Sequence, residues 1–279
     1  MKAPSLAAVA FVAVTFAAAA YAGAGPTSPL YLTYVNYPSS SAYDIHVVQG
    51  HSMTSFPEHY DPPWEIPIAV DGDVRTTGYE YFSQRQTGGQ YTLSGTATGT
   101  TYVLPSLFGD DGTEDSTSDG THNYLVNLTT GTVHQTARDF TNPVGLFTAA
   151  GTNPLGITYD SGNNSLWISG LGNSTVADYS LNGTLLSSFS TGHIGNAALA
   201  LDPADGTLWL VYATYAGGTG NLEQYTQAGV LLSTGPYVGD VRGGEFNLAA
   251  SPTPEPGTLV MFGCGILGLA GLLRRKIDL

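Results

Sequence analysis

The 279-residue chain contains 36 glycines and 17 tyrosines, only 11% of its residues are charged, and its formal net charge is −14. So few Lys, Glu and Arg exclude a mainly helical protein. Between Gly23 and Thr253 there is no lysine, and four arginines oppose 20 acidic residues, so this part carries a charge near −16 and is excluded as a nucleic-acid binder.

The first 22 residues have the pattern of a secretory signal peptide. Lys2 supplies the positive charge, and residues 6–20 are apolar apart from one threonine. Ala20-Tyr21-Ala22 then gives the small-x-small pattern after which signal peptidase cleaves. The apolar run is short for a membrane span, and no stop-transfer charges follow it. We therefore predict export and cleavage after Ala22, with Ala20 and Ala22 as the recognised residues.

Residues 23–251 are predicted to form one all-β exported domain. Gly, Thr, Ser, Asn and Tyr are abundant throughout it, which suits short strands joined by tight turns. Strand-like runs separated by glycine turns lie at 78–84, 90–94 and 100–104, whereas the first 60 or so mature residues give no clear element. Residues 123–134 resemble the second hairpin of a repeating unit, with a turn at Thr129-Thr130-Gly131.

Five carboxylates lie within ten residues in the segment 109–120, together with glycines and hydroxyl side chains. Such oxygen ligands suit Ca²⁺, although the spacing does not match an EF-hand loop. The alternative is a solvated loop without a metal. The candidate calcium ligands are Asp110, Asp111, Glu114, Asp115 and Asp119, and we predict no other cofactor.

Two copies of one repeat follow, at residues 151–195 and 196–239. The run 156–168 matches 198–210 at an offset of 42, with Trp167 and Trp209 at equivalent positions. Farther on, 179–187 matches 225–233 at an offset of 46. In the first copy we predict strands at 156–160, 165–170, 175–181 and 184–190, because turn residues and the Asn182-Gly183 hairpin signal separate them.

Four antiparallel strands in 42–46 residues are typical of a β-propeller blade. The aspartate after the first strand and the tryptophan in the second resemble NHL and YVTN-type propellers, although neither family's motif is complete here. That resemblance and the length of the mature chain imply about five blades. A β-sandwich joined to a partial propeller is the alternative fold.

The last 28 residues, 252–279, combine a Pro-rich linker, an apolar run at 258–273 and a basic cluster. A helix of that length rises about 24 Å, so with snorkelling arginines it suffices for a single transmembrane helix. The positive end should stay in the cytoplasm and leave the body outside. The elements of this segment are Pro254, Glu255, Pro256 and Gly257, followed by Arg274, Arg275 and Lys276.

This order of elements resembles the PEP-CTERM sorting-signal proteins of Gram-negative bacteria. The resemblance implies recognition by exosortase, cleavage near the Pro-Glu-Pro triplet, and a host that makes exopolysaccharide. It also implies only transient anchoring in the inner membrane, before the mature protein reaches the periplasmic side, the cell surface or the exterior. Ile277-Asp278-Leu279 extends beyond the basic cluster, which is a small departure from the pattern.

No catalytic constellation is evident in the exported domain. Asp71-Gly72-Asp73 reads as a turn, and Asp160 and Asp202 occupy equivalent turn positions in the repeats. His46, His51 and His59 have no spacing that would make them converge on zinc. We therefore expect a non-enzymatic surface or matrix protein that binds extracellular polysaccharide or another surface protein. A propeller-type glycan hydrolase or lyase and a calcium-stabilised structural module are the alternatives.

Overall fold

The computed structural model is an all-β propeller of five blades. It describes residues 19–20, 25–35, 44–60, 65–66, 68–78, 87–104, 112–151, 153–212 and 219–249. Each blade is an antiparallel sheet with four main strands. No helix in this described part is long and apolar enough to cross a membrane. The predicted span at 258–273 lies outside the described residues.

The first blade joins the two ends of the exported domain. Its innermost strand is β21, the last strand of the described part, which pairs with β2. This pairing closes the ring, and a two-residue strand, β1, adds to the outer edge of β4. The strands of this blade are β1 (Ala19–Ala20), β2 (Leu30–Val35), β3 (Asp44–Gln49), β4 (Ser52–Pro57) and β21 (Asp240–Phe246).

The other four blades follow in chain order, each running from its innermost to its outermost strand. Blade 2 contains β5 (Ile68–Val70), β6 (Val74–Thr76), β7 (Thr87–Tyr91) and β8 (Ala97–Val103). Blade 3 contains β9 (Ser116–Ser118), β10 (His122–Val126), β11 (Thr132–Ala137) and β12 (Val144–Thr148). Blade 4 contains β13 (Pro154–Asp160), β14 (Ser165–Gly170), β15 (Thr175–Ser180) and β16 (Leu185–Ser190). Blade 5 contains β17 (Asn196–Leu201), β18 (Leu208–Tyr212), β19 (Thr219–Tyr225) and β20 (Leu231–Val238).

Apolar side chains fill all five spaces between neighbouring blades. Blades 4 and 5 meet around Trp167, Leu199 and Leu208, which are buried. Blades 2 and 3 share the smallest cluster, which contains Tyr102 and Phe140. Because each blade buries one face against the next, the ring of interfaces replaces a single central core.

A repeated turn sets the distance between neighbouring blades. Gly95, Gly183 and Gly229 occupy the same position in the turn between the third and fourth strands, with φ of +85°, +83° and +82°. A Cβ atom at these positions would lie 2.4–2.6 Å from a phenylalanine in the outer strand of the preceding blade. Glycine therefore serves both the left-handed turn and the close approach. The phenylalanines are Phe56, Phe147 and Phe189.

In blade 3 the aromatic side chain between blades comes from the turn itself and not from the preceding outer strand. Phe140 occupies the glycine position of its turn, with φ of +61°, and is fully buried. Its ring meets Tyr102 of blade 2 edge-on, with centroids 5.6 Å apart. The aromatic group thus comes from the turn itself, and its burial offsets the cost of a left-handed backbone at a bulky residue.

The structure confirms the five-bladed propeller and overturns the sandwich alternative. The four strands predicted in blade 4 agree with β13 to β16 within two residues at every end. The segment 123–134 forms most of β10 and the start of β11, which are the second and third strands of blade 3 and pair as a hairpin. Of the run predicted at 78–84, residues 79–84 lie outside the described part.

Candidate functional site

The innermost strands meet at a polar contact on the propeller axis. The Asp115 carboxylate accepts hydrogen bonds from the backbone N–H groups of Ser116, Gly244 and Ile157 at 2.9, 3.0 and 3.1 Å. The hydroxyl of Thr158 donates to the Glu245 carboxylate, at 3.0 and 3.1 Å from its two oxygens. Protein groups from blades 1, 3 and 4 therefore fill this part of the axis.

Burial dominates the electrostatics of this axial contact. Asp115 and Glu245 are both fully buried. Burial raises the pKa of each carboxyl well above its usual value, and the hydrogen bonds from backbone and hydroxyl donors only partly oppose this shift. Asp115 accepts from three backbone N–H groups, whereas Glu245 accepts from one, that of Phe246 at 3.0 Å, and from hydroxyl groups, which can also act as acceptors. We therefore assign the proton that this pair retains to Glu245. Neither carboxyl group reaches solvent, so both have a structural role and do not contact a ligand.

A small cleft opens on the face where the innermost strands end, which we call the strand-end face. Its volume is about 90 Å³. The cleft contains two carboxylates, one tyrosine and two serine hydroxyls. Its lining residues are Asp71, Ser118, Asp119, Gly120, Tyr159, Ser161, Leu201, Pro203 and Leu248.

Both carboxylates of the cleft are already engaged within the protein. Asp119 accepts hydrogen bonds from the N–H groups of Thr121 and His122 at 2.7 and 2.6 Å and from the Tyr124 hydroxyl at 2.7 Å. Burial opposes ionisation of Asp119, but these donors outweigh it and lower its pKa. Asp71 forms an ion pair with Arg138. The Tyr159 ring stacks on Tyr124, with centroids 6.0 Å apart.

The dimensions of the cleft limit its chemistry. Sites that enclose a small-molecule ligand typically have volumes of about 300–1,000 Å³, several times larger than this one. A sugar ring can therefore lie across the cleft but cannot be enclosed in it. Two-carboxylate glycoside hydrolysis also needs one carboxyl group ready to protonate the leaving oxygen. Here both carboxylates are held by donors of the protein.

The opposite face, where the innermost strands begin, is tied together by ion pairs and histidines. Arg242 donates to Glu114 and to Asp240, each at 2.9 Å. His46 stacks on Tyr34 with centroids 4.5 Å apart, and burial lowers its pKa to about 4. His193 contacts Glu223 at 2.9 Å. Each arginine, carboxylate and histidine named here has at least one polar partner within the fold.

The predicted calcium ligands do not come together in the described structure. Glu114 pairs with Arg242, Asp115 lies on the axis, and Asp119 lines the strand-end cleft. Asp110 and Asp111 lie outside the described residues. The described part of the chain contains no group of three His, Cys, Asp or Glu side chains arranged to hold a metal. Calcium binding by the whole segment 109–120 stays a prediction.

The other singled-out residues have structural positions. Asp160 and Asp202 accept hydrogen bonds from the backbone N–H groups of Gly162 and Ala204, which confirms their role in turns. Trp167 and Trp209 are buried, as expected for blade cores. Asp71 and Asp73 bracket a tight turn, with the Asp71 N–H donating to the Asp73 carbonyl.

His51 lies in the turn between β3 and β4, whereas His46 and His59 lie toward the other end of this hairpin, so the three histidines cannot share one metal.

Sequence reasoning missed the residues that fix the blades to one another. In the described part, Arg138 and Arg242 form ion pairs between blades, and Arg75 pairs with Asp73 of its own blade and donates to Asn123 of blade 3. A usable signal was present: in a lysine-free body with 20 acidic residues, each rare cation is expected to be buried among carboxylates. The axial Asp115 and Glu245 gave no comparable signal.

The sorting and cleavage residues fall almost wholly outside the described part of the chain. Only Ala20 is described, as a strand residue paired with Ser52. Ala22, the residues 254–257 and the basic cluster 274–276 have no described structure. Comparison with known families therefore bears on them more directly than geometry does.

Residues 252–276 match the model of the PEP-CTERM protein-sorting motif. The match implies processing by exosortase, and hence an exported protein that passes through a membrane. It covers less than a tenth of the chain and says nothing of the propeller body. A search of curated protein sequences found no significant match.

Among solved structures, one likeness supports the fold, and it bears on the fold alone. The chain is similar to a chain in a nidogen/laminin complex, with 13% identity, a TM-score of 0.53, and coverage of 80% of this chain and 100% of that one. It is also similar to a catalytically inactive virginiamycin B lyase from Staphylococcus aureus with quinupristin, with 13% identity, a TM-score of 0.44, and coverage of 73% and 68%. TolB from Acinetobacter baumannii gives 14% identity, a TM-score of 0.45, and coverage of 78% and 66%.

Proposed function

We propose that this protein is a non-enzymatic binding protein of a Gram-negative bacterium, exported and sorted by exosortase, whose propeller binds extracellular polysaccharide. The observation that carries the proposal is the sorting motif at 252–276, which follows a five-bladed propeller in the chain. Side chains of the innermost strands fill part of the propeller axis. After cleavage of both terminal signals, the body is presented outside the inner membrane. Its final place is the periplasmic side, the cell surface or the surrounding matrix.

The absence of enzymatic activity is part of this proposal. It is supported by the volume of the strand-end cleft, about 90 Å³, and by the internal donors that hold Asp71 and Asp119. A two-carboxylate glycoside hydrolase would need a carboxyl group that is free to protonate the leaving oxygen. Neither carboxylate of the strand-end cleft is free in this sense.

We place polysaccharide binding on the strand-end face. Tyr159 is part of the cleft and provides an aromatic ring beside the hydroxyl of Ser161. Exposed amide side chains follow at Asn163 and Asn164 in the same turn. An aromatic platform with neutral hydrogen-bonding groups suits sugar rings, which have apolar faces and hydroxyl edges. The acidic body favours an uncharged polymer over an anionic one.

The sorting step is tested by replacing Pro254 and Glu255 with alanine in the full chain expressed in its host. The expected result is a longer form that remains in the membrane fraction, because the processing enzyme no longer recognises the triplet. The control is Pro252→Ala, which alters the same linker but leaves the triplet intact. Identical masses and fractionation for both variants would reject the sorting proposal.

Binding is tested by sedimenting the exported protein with the host's own purified polysaccharide. The variant Ser161→Trp places a bulky side chain over the cleft and should lower the bound fraction severalfold. Ile194→Trp adds the same bulk at an exposed position outside that face, and should bind like the native protein. Equal loss in both variants, or no binding by the native protein, would contradict the proposal. Release of sugar fragments would favour the hydrolase or lyase alternative.

A further inference from the structure

The outer strands of the five blades form an uncharged rim around an otherwise acidic body. We define this rim as β4, β8, β12, β16 and β20. None of these five strands contains Asp, Glu, Lys or Arg. The acidic residues of the described body lie instead in inner strands, in third strands and in the turns on the two faces. The rim is therefore the surface on which a second acidic body meets the least repulsion.

The rim also carries the exposed aliphatic side chains. The described part of the chain has eight exposed large hydrophobic residues, and seven of them lie on or directly before an outer strand. Leu185 and Leu231, at equivalent repeat positions, are 54% and 48% exposed. The seven are Val103, Val144, Leu185, Leu186, Val230, Leu231 and Leu232.

The repeated β-bulge explains why pairs of leucines remain outside the blades. In blade 4 the register skips Leu186, and in blade 5 it skips Leu232. A bulged residue is left out of the ladder, so both side chains of each pair reach the outer surface. The turns before them pack on Phe147 and Phe189 of the preceding outer strands. The apolar surface thus follows the rim across blades 3, 4 and 5.

The backbone of the rim is open to pairing as well. In the described structure β8, β12, β16 and β20 each end their sheet without a further strand. The edge of β4 does hold an added strand, since Ala19 and Ala20 pair with Met53 and Ser52. Cleavage after Ala22 would remove that strand. Lysine and inward charges, which often protect such edges, are missing here, whereas β-bulges beside the outer strands and Pro236 in β20 limit backbone pairing to short stretches. The exposed side chains are therefore the main contact that the rim offers.

We propose that the rim at blades 3 to 5 is a self-association surface, whose partner is the rim of a second copy of this chain. Aliphatic side chains gain by leaving water against another apolar surface, and hydroxyl-rich sugars offer little of that. Two bodies near −16 each repel one another over their faces, whereas the rims can approach without that cost. The proposal is independent of polysaccharide binding, which we place on the strand-end face.

The test uses the processed protein released by the producing host, followed by sedimentation velocity over a range of concentrations. The native protein should show a reversible, concentration-dependent dimer. The double variant Leu186→Asp with Leu232→Asp should weaken dimerisation at least tenfold, because it brings charge into both leucine pairs. A native protein that stays monomeric, or a double variant that dimerises unchanged, would overturn the proposal.

Ile194→Asp is the matched control. It adds an aspartate of the same kind, one in place of two, at Ile194, which is 62% exposed and is the one exposed large aliphatic residue of the described part that does not lie on the rim. It should dimerise like the native protein, and equal weakening in this variant would refute a rim-specific contact. Circular dichroism of all three proteins ensures that a monomeric result reflects the rim and not unfolding.

Salt gives a second readout that a folding defect would not produce. Raising the salt concentration from about 0.05 M to about 0.5 M shortens the Debye length from over 10 Å to a few Å. Association through the uncharged rim should strengthen severalfold, because the repulsion between the acidic bodies is screened. Weakening by salt would indicate a charge-paired interface and reject the rim. Unchanged polysaccharide binding by the double variant would show that the two surfaces are separate.

Discussion

The interface between blades 4 and 5 and the interface between blades 2 and 3 hold the same architecture by different forces. Between blades 4 and 5, buried Trp167 packs against leucines of the neighbouring blade. Between blades 2 and 3 the apolar cluster is smaller, and buried Arg75 reaches across to the Asn123 side chain at 3.0 Å. One interface depends on apolar burial, and the other adds a buried polar network.

This difference shows what the propeller requires of a blade. The fold needs four strands and a filled space toward the next blade, and it accepts either chemistry in that space. Arg75 and Arg138 meet Asp71 and Asp73 in one network of charges between blades 2 and 3. Such a network gains less net free energy than packing does, because each charge loses its hydration. The loss of stability on removing one of these arginines should therefore come mainly from the carboxylates left with less compensation, and less from lost packing.

The largest expected effect comes from breaking the apolar interface. Trp167→Ala removes a side chain that is 1% exposed and should lower the free energy of unfolding by about 3–5 kcal/mol. Urea denaturation of the exported protein, followed by tyrosine and tryptophan fluorescence, measures this change. Leu185→Ala in the same blade is the control and should change stability by less than about 0.5 kcal/mol, because Leu185 is half exposed. Similar losses in both variants would contradict our description of this interface.

The polar interface should respond next most strongly, and unevenly. Arg75 is 1% exposed, so Arg75→Ala removes the buried cation beside Asp71 and Asp73, leaves them only the more exposed Arg138, and should cost about 3 kcal/mol. Arg138 is 38% exposed and shares the same aspartates, so solvent screening limits the effect of Arg138→Ala to about 1 kcal/mol or less. The same urea titration compares them. A larger loss of stability in Arg138→Ala than in Arg75→Ala would mean that the exposed arginine, and not the buried one, contributes most to this network.

The sequence predicted the apolar half of this comparison much better than the polar half. Trp167 and Trp209 recur at one repeat position, and that recurrence fixed blades 4 and 5 almost to the residue. Blades 1 and 2 have no such repeat, and closure through β21 joins residues about 200 positions apart, which local patterns cannot reveal. The pairing of Arg75 with Asn123 and Asp73 depends on how two blades face each other. For the same reason, the strand-end cleft could be found only in three dimensions.

A smaller loss of stability is expected in the glycine turn that sets the distance between blades, where the substitution adds a single carbon atom. Gly183→Ala introduces a Cβ within 2.6 Å of Phe147 at φ of +83°, and should cost about 2 kcal/mol. Gly192→Ala has nearly the same φ, +85°, with no atom within 4 Å of the new Cβ, and should cost only about 1 kcal/mol. Thermal unfolding of the two variants isolates the contact between blades. Equal midpoints would show that backbone conformation alone requires glycine.

The smallest change at neutral pH is expected on the axis, where Glu245 of blade 1 meets Thr158 of blade 4. Glu245→Gln keeps the shape of a protonated carboxyl group and most of its hydrogen bonds, so stability at pH 7 should change by about 1 kcal/mol or less. Burial raises the pKa of Glu245 in the folded protein above its ordinary value of 4.5. Above that ordinary value the unfolded chain releases the proton while the folded protein retains it, so stability falls as pH rises toward the folded pKa.

The glutamine variant should therefore lose part of this decline and show a flatter profile of unfolding free energy from about pH 4.5 upward. Asp115 is present in both proteins with a pKa raised by burial; the Glu245 carboxylate also raises it, so the substitution reduces that contribution and flattens the profile in the same direction. Asp119 and Asp139, whose pKa values are lowered, act below the ordinary aspartate value of 3.8 and do not overlap this window. Urea titrations at several pH values measure the difference. Parallel profiles for the two proteins would mean that Glu245 is ionised in the folded protein. The hydrogen-bond donors around it would then stabilise a buried negative charge on the axis.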